Sequence, residues 1–335
     1  MSKKISIYLF GVLLGILILK LIPRKEPREP HPWHNQTAPE SSYPRAVEDD
    51  LGRTVTLEVQ PRWVVSLAPS ITETLFAMEM GDHLSGVTRW DVYPEKALLL
   101  RDAGFSVGDM DAPDIERIHT LPLDLVLGSK LTPQHIYEKI SGVRGVPALA
   151  IDASSLDDYL DEDLPLLGAV LGVPSKVLTF KTSLVNRRAA VAEMVERHLD
   201  SSPKRVALLL SLEETFQPGW SPGSATWLGA LIDEAHGENV AAELGKQWGV
   251  FPLESLLEAD PEVFLIKDGE SEEHSEALRE RIASLKTHPV WQHMSAVKND
   301  RIVLLEPGPL SIPGPRMVDA LEAIAGALWL ETPSE

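Results

Sequence analysis

From Pro174 to Leu199 the chain runs without a glycine or a second proline, and apolar residues recur at Val177, Phe180, Leu184, Val191 and Val195. That is helical spacing uninterrupted by a breaker, and it predicts one helix of about 40 Å at about 1.5 Å per residue. An element roughly as long as a small domain is broad, lying near the middle of 335 residues, divides the chain. Each side has to be read as a fold of its own.

Before the long helix, short apolar runs alternate with helical patterns. Arg45–Leu57 reads as an opening hairpin turned at Asp50-Leu51-Gly52-Arg53. Strands are predicted at 63–67, 84–88, 123–127 and 146–151, a helix at 113–120, and a loop at 89–94. Ala68-Pro69-Ser70-Ile71-Thr72-Glu73 predicts a helix through Met78 opened by a capping box, with Ser70 accepting from a first-turn amide and Glu73 reaching back to the Ser70 amide. After the break at Ser201-Ser202-Pro203 the same alternation restarts, with strands at 205–210, 263–266 and 301–305 and helices at 226–235, 275–284 and 317–330. The predicted fold is α/β: two Rossmann-like lobes, 45–172 and 201–331, joined by a backbone helix over 173–200.

The N-terminus carries a separate signal. After Lys3 and Lys4 the chain is free of charge from Ile5 to Leu19, with Lys20 placed to snorkel and Leu21-Ile22 extending the run to Pro23. No small-x-small cleavage site follows, so residues 1–23 are read as an uncleaved signal-anchor or transmembrane segment. Lys20, Arg24, Lys25 and Arg28 outnumber the two lysines before the run, so flanking charge does not orient it. Residues 24–44, rich in Pro, Glu, His and Ser, read as a disordered tether.

Composition removes several classes of function. With 31 Lys and Arg against 50 Asp and Glu, the net charge of −19 opposes binding to a phosphate backbone, and no basic patch offsets it, so nucleic acid is not expected as a partner. Zero cysteines exclude disulfides, thiolate metal sites, thiol nucleophiles and a lipid-bearing N-terminal cysteine. The 10 histidines form no HExxH or HxH spacing; no serine sits in GxSxG and no glycine-rich phosphate loop follows a strand. Neither an enzyme nor a resident metal or cofactor is expected. The 8 Trp, set against 5 Tyr and 7 Phe, either fill the core or recognise a flat ligand by stacking.

An ordered set of motifs resembles the helical-backbone (class III) periplasmic substrate-binding proteins of ABC importers, and within them the cobalamin-binding branch. The set runs Asp50-Leu51-Gly52-Arg53, Val64 through Glu73, Gly86-Val87-Thr88 with Tyr93-Pro94, Ile115-Glu116-Arg117-Ile118, Asp124-Leu125-Val126, Gly237-Glu238-Asn239, and Pro315-Arg316 with Asp319-Ala320-Leu321-Glu322. The likeness covers Asp49 to Leu328. It implies a ligand held between the lobes by aromatic side chains at the strand ends, and it carries that role to Trp90, Tyr93, Trp220 and Trp248. Met110 stands where the best-known members have a further Trp, a departure that bears on cobalamin in particular. The resemblance also implies that Glu116 and Glu254, one per lobe, meet arginines of the membrane permease; read alone, each is a solvated helix residue. Trp90 and Trp220 lie in polar loops flanked by Pro or Gly, whereas Trp63, Trp291 and Trp329 follow apolar patterns and read as core.

The expected protein is thus a monomeric, extracytoplasmic binding protein tethered to the cytoplasmic membrane, delivering a corrinoid to ABC permease subunits with little closing motion. Haem or a ferric siderophore is the alternative ligand, with Tyr93 the candidate axial group. A tethered corrinoid sensor or scavenger without a transporter is the alternative role.

Overall fold

The first folded element is a hairpin of Arg45–Glu48 (β1) and Thr54–Leu57 (β2), antiparallel with Arg45 opposite Leu57. One carboxylate closes its turn. Buried Asp49 accepts from the backbone N–H groups of Leu51 and Arg53 at 3.1 and 2.9 Å and pairs with the Arg53 guanidinium. Gly52 supplies the left-handed backbone that the turn requires, at φ 73°. The same carboxylate accepts from the Ala150 N–H at 3.0 Å, bolting the hairpin to the first sheet. This computed structural model describes residues 42–245 and 247–330. The expected anchor and the tether up to residue 41 lie outside the described residues, among which no helix is long and apolar enough to cross a membrane.

Two four-stranded parallel sheets carry the rest of the chain. The first is built from Val64–Ser66 (β3), Leu84–Gly86 (β4), Leu125–Gly128 (β5) and Ala148–Ala150 (β6) in the order β4-β3-β5-β6. Its helices of six or more residues are Pro69–Ala77 (α1), Glu95–Leu100 (α2), Ile115–Thr120 (α3), Gln134–Arg144 (α4) and Leu164–Leu171 (α5). After the long helix Pro174–Glu196 (α6) come Lys204–Leu209 (β7), Trp220–Ser221 (β8), Gly237–Asn239 (β9), Gly249–Val250 (β10), Val263–Lys267 (β11) and Ile302–Leu305 (β12). Here β9-β7-β11-β12 form the second parallel sheet, and β8 pairs with β10 as a separate antiparallel ribbon. The helices of six or more residues in this half are Trp227–Glu234 (α7), Leu253–Ala259 (α8), Glu272–Ser284 (α9) and Met317–Trp329 (α10). Residues 64–66 and 125–128 are fully buried, as expected of short apolar strands covered on both faces.

In chain order both sheets read second, first, third, fourth. The chain steps one way from the first strand to the second and then crosses back. In α/β folds such a reversal marks the carboxyl ends of the strands as the place where ligands bind.

The dividing helix α6 is 23 residues long and buries only Val177, Leu184, Val191 and Val195. This narrow stripe lies against α5 from the first half and α10 from the second. Gly168 lets α5 approach, since a Cβ there would stand 3.0 Å from the Val177 side chain. Two adjacent arginines then tie the helix down: Arg187 to Asp319 and Glu322, and Arg188 to Glu234 and Asp157. These ion pairs raise both guanidinium pKa values against the opposing effect of burial.

One local expectation fails. The capping box at Ser70 and Glu73 is absent: α1 starts at Pro69 after Ala68, which caps nothing with its side chain. Proline at the first helical position comes with its φ preset and has no N–H to satisfy. Glu73 turns away from the helix start to bond the Arg316 guanidinium, a stronger partner than a backbone amide.

Candidate functional site

The loops that leave the strand ends of the first sheet are laced together. Val87 bridges to Ser106, and the Arg89 N–H donates to the Gly108 carbonyl at 2.9 Å. Gly108 needs its left-handed backbone there, with φ 90°. This lacing sets residues 87–94 beside residues 106–114 and so brings Trp90 and Met110 onto one rim. The Thr132 hydroxyl donates to the Met110 carbonyl at 2.6 Å, joining the loop after β5 to the same rim.

Trp90 is held by polar contacts. Its indole N–H donates to Asp109 Oδ1 at 3.0 Å, while Arg89 pairs with the other oxygen of that carboxylate and lies 5.8 Å from the ring centroid. The ring stays 53% exposed. Beneath it Asp91 is fully buried, and one of its oxygens accepts from both the N–H and the hydroxyl of Thr88 at 2.6 Å. Burial pushes the Asp91 carboxyl up from its ordinary value, against the pull of Thr72, Thr88 and Arg101. The rim therefore rests on a buried polar knot, with its largest apolar surface turned to solvent.

Tyr93 is half exposed, and its ring lies 4.2 Å from the Arg316 guanidinium, which comes from the second half of the chain. Arg316 also makes two bonds to Glu73, at 2.8 and 2.6 Å. A cavity of about 330 Å³ adjoins this contact, lined by Glu73, Tyr93, Pro94, Phe180, Arg187 and Arg316 among others. Trp90, Trp220 and Trp248 do not line it.

On the second half the β8–β10 ribbon sets Trp220 directly opposite Val250, and both are more than half exposed. Gly219 is needed just before it, because a Cβ would run into the Ser211 side chain. Trp248, half-buried, immediately precedes β10. Trp227 and Trp291 are core, and Trp291 donates from its indole N–H to the Phe216 carbonyl at 3.0 Å. Apolar side chains not picked out from the sequence share these rims: Val92, Leu131 and Val250 are each more than half exposed. Val92 and Val250 could have been found as apolar residues beside loop tryptophans; Leu131 carries no such signal.

Glu116 and Glu254 are both exposed and occupy the same place in their helices, the second position of α3 and of α8. Each of those helices leads into the third strand of its sheet. Among the described residues no three His, Cys, Asp or Glu side chains gather to hold a metal.

Known proteins fit this arrangement. A family model described as "Periplasmic binding protein" matches residues 64–308. The chain belongs to the periplasmic binding protein family. This binding protein is 23% identical over 292 residues to an uncharacterized ABC transporter substrate-binding lipoprotein, YvrC, of Bacillus subtilis, covering 87% of each chain. It is 26% identical over 274 residues to a vitamin B12-binding protein of Pectobacterium carotovorum, covering 82% of this chain and 90% of that one. Among solved structures, the periplasmic heme-binding protein RhuT from Roseiflexus aligns with TM-score 0.65 at 26% identity, over 80% of this chain and 98% of that one. The relatives' names include both ligands, which leaves the choice to the rims of the binding protein itself.

Proposed function

We propose that this protein is the extracytoplasmic substrate-binding component of an ABC importer and that it captures a corrinoid such as cobalamin. In this reading residues 45–172 and 201–331 are the lobes, 173–200 is the helix between them, and Trp90, Tyr93, Met110, Trp220 and Trp248 line the ligand cleft. The observation that carries it is the pair of aromatic rims at the strand ends of two sheets with the same strand order, where Trp90 and Trp220 are each 53% exposed. Exposed indoles give a flat macrocycle a large contact area at little entropic cost. The similarity to a vitamin B12-binding protein supports the same ligand class.

Haem is the second reading, favoured by the 26% identity to a heme-binding protein. Against it, residues 87–94, 106–114, 211–223 and 245–252 include no histidine, and the Tyr93 ring is already stacked on Arg316. Met110 offers a flexible apolar side chain in place of a rigid ring, which suits a corrin edge less tightly than a Trp.

Glu116 and Glu254 would dock the two lobes onto permease arginines through charge-assisted bonds. Residues 1–23 would tether the protein. A relative is named a lipoprotein, which supports tethering; with zero cysteines in this chain, the apolar run of residues 5–19 would take that role.

The test is a titration of the full-length protein with cyanocobalamin, haemin and a ferric siderophore in parallel, followed by tryptophan fluorescence. Saturable quenching by the corrinoid alone, lost in Trp90→Ala and in Trp220→Ala, is the expected result. Saturation by haemin alone would transfer the site to the second reading.

A further inference from the structure

We infer that Arg316 is a positioning residue, a clamp by which the second half of the chain fixes the Trp90–Tyr93 loop of the first half and thereby the aperture of the binding cleft. This rests on the proposed cleft and deepens it. Glu73 and Arg316 are 243 residues apart, yet the guanidinium bonds both carboxylate oxygens of Glu73 on α1 and lays its flat face 4.2 Å from the Tyr93 ring centroid. The pair is withdrawn from water, with side chains 3% and 12% exposed. The chain makes room for it: a Cβ on Gly308 would run into the guanidinium, and one on Gly314 would press on Ser70 of α1 at 3.3 Å.

A buried ion pair is weak evidence for stability, because desolvation offsets much of the attraction. A planar fork on a carboxylate does fix distance and orientation, as a single ammonium charge does not. Here one guanidinium is shared by α1, the aromatic loop and the segment before α10. The loop's Tyr93 touches the opposite half where its neighbour Trp90 faces solvent. A cleft held this way is preorganised before the ligand arrives, which lowers the ordering cost of binding.

The chain's lack of cysteine allows a clean test. Lys139→Cys and Glu276→Cys, both exposed and one on each half, carry spin labels in the full-length protein, and the distance between them is measured without ligand. The unaltered clamp should give one narrow distribution. Arg316→Lys, which keeps the charge and loses the fork and the flat face, should broaden it and weaken cyanocobalamin binding about tenfold. Glu73→Gln/Arg316→Met, which keeps buried volume without charge, should broaden it equally while the melting temperature stays within a few degrees of the parent. That second variant keeps the test open if the first fails to fold. Narrow, unshifted distributions in the folded variants would overturn the clamp. So would weakened binding at an unchanged distance, which would make Arg316 a ligand contact instead. If cyanocobalamin fails to bind the parent protein, the proposed function falls, and the distance measurement still decides on the clamp.

Discussion

Trp90 shows how much of this site depends on neighbours remote in sequence. Its position in a polar loop before Tyr93-Pro94 makes it a candidate ligand residue without any structure. Asp109, which fixes the indole, lies 19 residues away and gives no such signal. The role of Glu73 is hidden in the sequence for the same reason, because its partner Arg316 is 243 residues distant. Truncating Trp90 or Trp220 to Ala should weaken corrinoid binding by about tenfold to a hundredfold, about 1.4 to 2.8 kcal/mol each, read by titration. A second set of residues predicts the response to pH. Burial raises the carboxyl pKa of Asp152, and it raises Asp163 well above the ordinary value, with Asp50, Asp152 and Asp158 adding to the rise and Lys130 opposing it. A carboxyl raised in the folded state binds its proton there more readily than in the unfolded chain. Stability therefore falls as pH rises from the unfolded to the folded pKa and is regained on acidification. The melting temperature should climb as the pH is lowered from above the raised carboxyl pKa values toward the ordinary carboxylate range, and Asp163→Asn should flatten that slope. Asp260 works in the opposite sense: hydrogen bonds from Ser295 outweigh burial and lower its pKa, so its contribution is lost only below the usual carboxylate range.

Elements were legible wherever apolar periodicity was long or the strand was buried on both faces. The dividing helix is the clearest case, starting at the expected Pro174 and ending at Glu196, three residues before the expected Leu199. The β8–β10 ribbon was not legible. It has two residues per strand, including Gly249 and Ser221, and its register comes from the main chain through bonds such as Phe251 N–H to the Gly219 carbonyl at 3.4 Å. Packing between elements also decides a sign that propensity alone gets wrong. Ala for Gly inside a helix usually gains about 0.5–1 kcal/mol. In α7, a Cβ on Gly229 would run into the Gly223 carbonyl oxygen, which is backbone and cannot swing aside. Gly229→Ala should therefore destabilise, by about 1–3 kcal/mol in urea unfolding.

At the scale of the molecule the two halves repeat a topology without repeating a sequence. Both sheets run second, first, third, fourth; Trp90 and Trp248 each lie beyond the second strand, and Glu116 and Glu254 each lie on the helix before the third. No short-period repeat in the sequence announces this, since strand order is fixed by long-range packing. A two-subunit permease would meet the two glutamates in the same way. Glu116→Ala/Glu254→Ala should accordingly abolish corrinoid uptake by cells while leaving the purified protein's affinity within about twofold of the parent. In the proposed function the aromatic rims hold a corrinoid. Equilibrium dialysis of the full-length protein against cyanocobalamin, read by visible absorbance, tests it most directly. One saturable site per chain is expected, at about micromolar dissociation constant or tighter, weakened in Trp90→Ala and in Trp220→Ala. Equal ligand on both sides of the dialysis membrane with the protein still folded would contradict it, as would undiminished binding after both tryptophans are replaced.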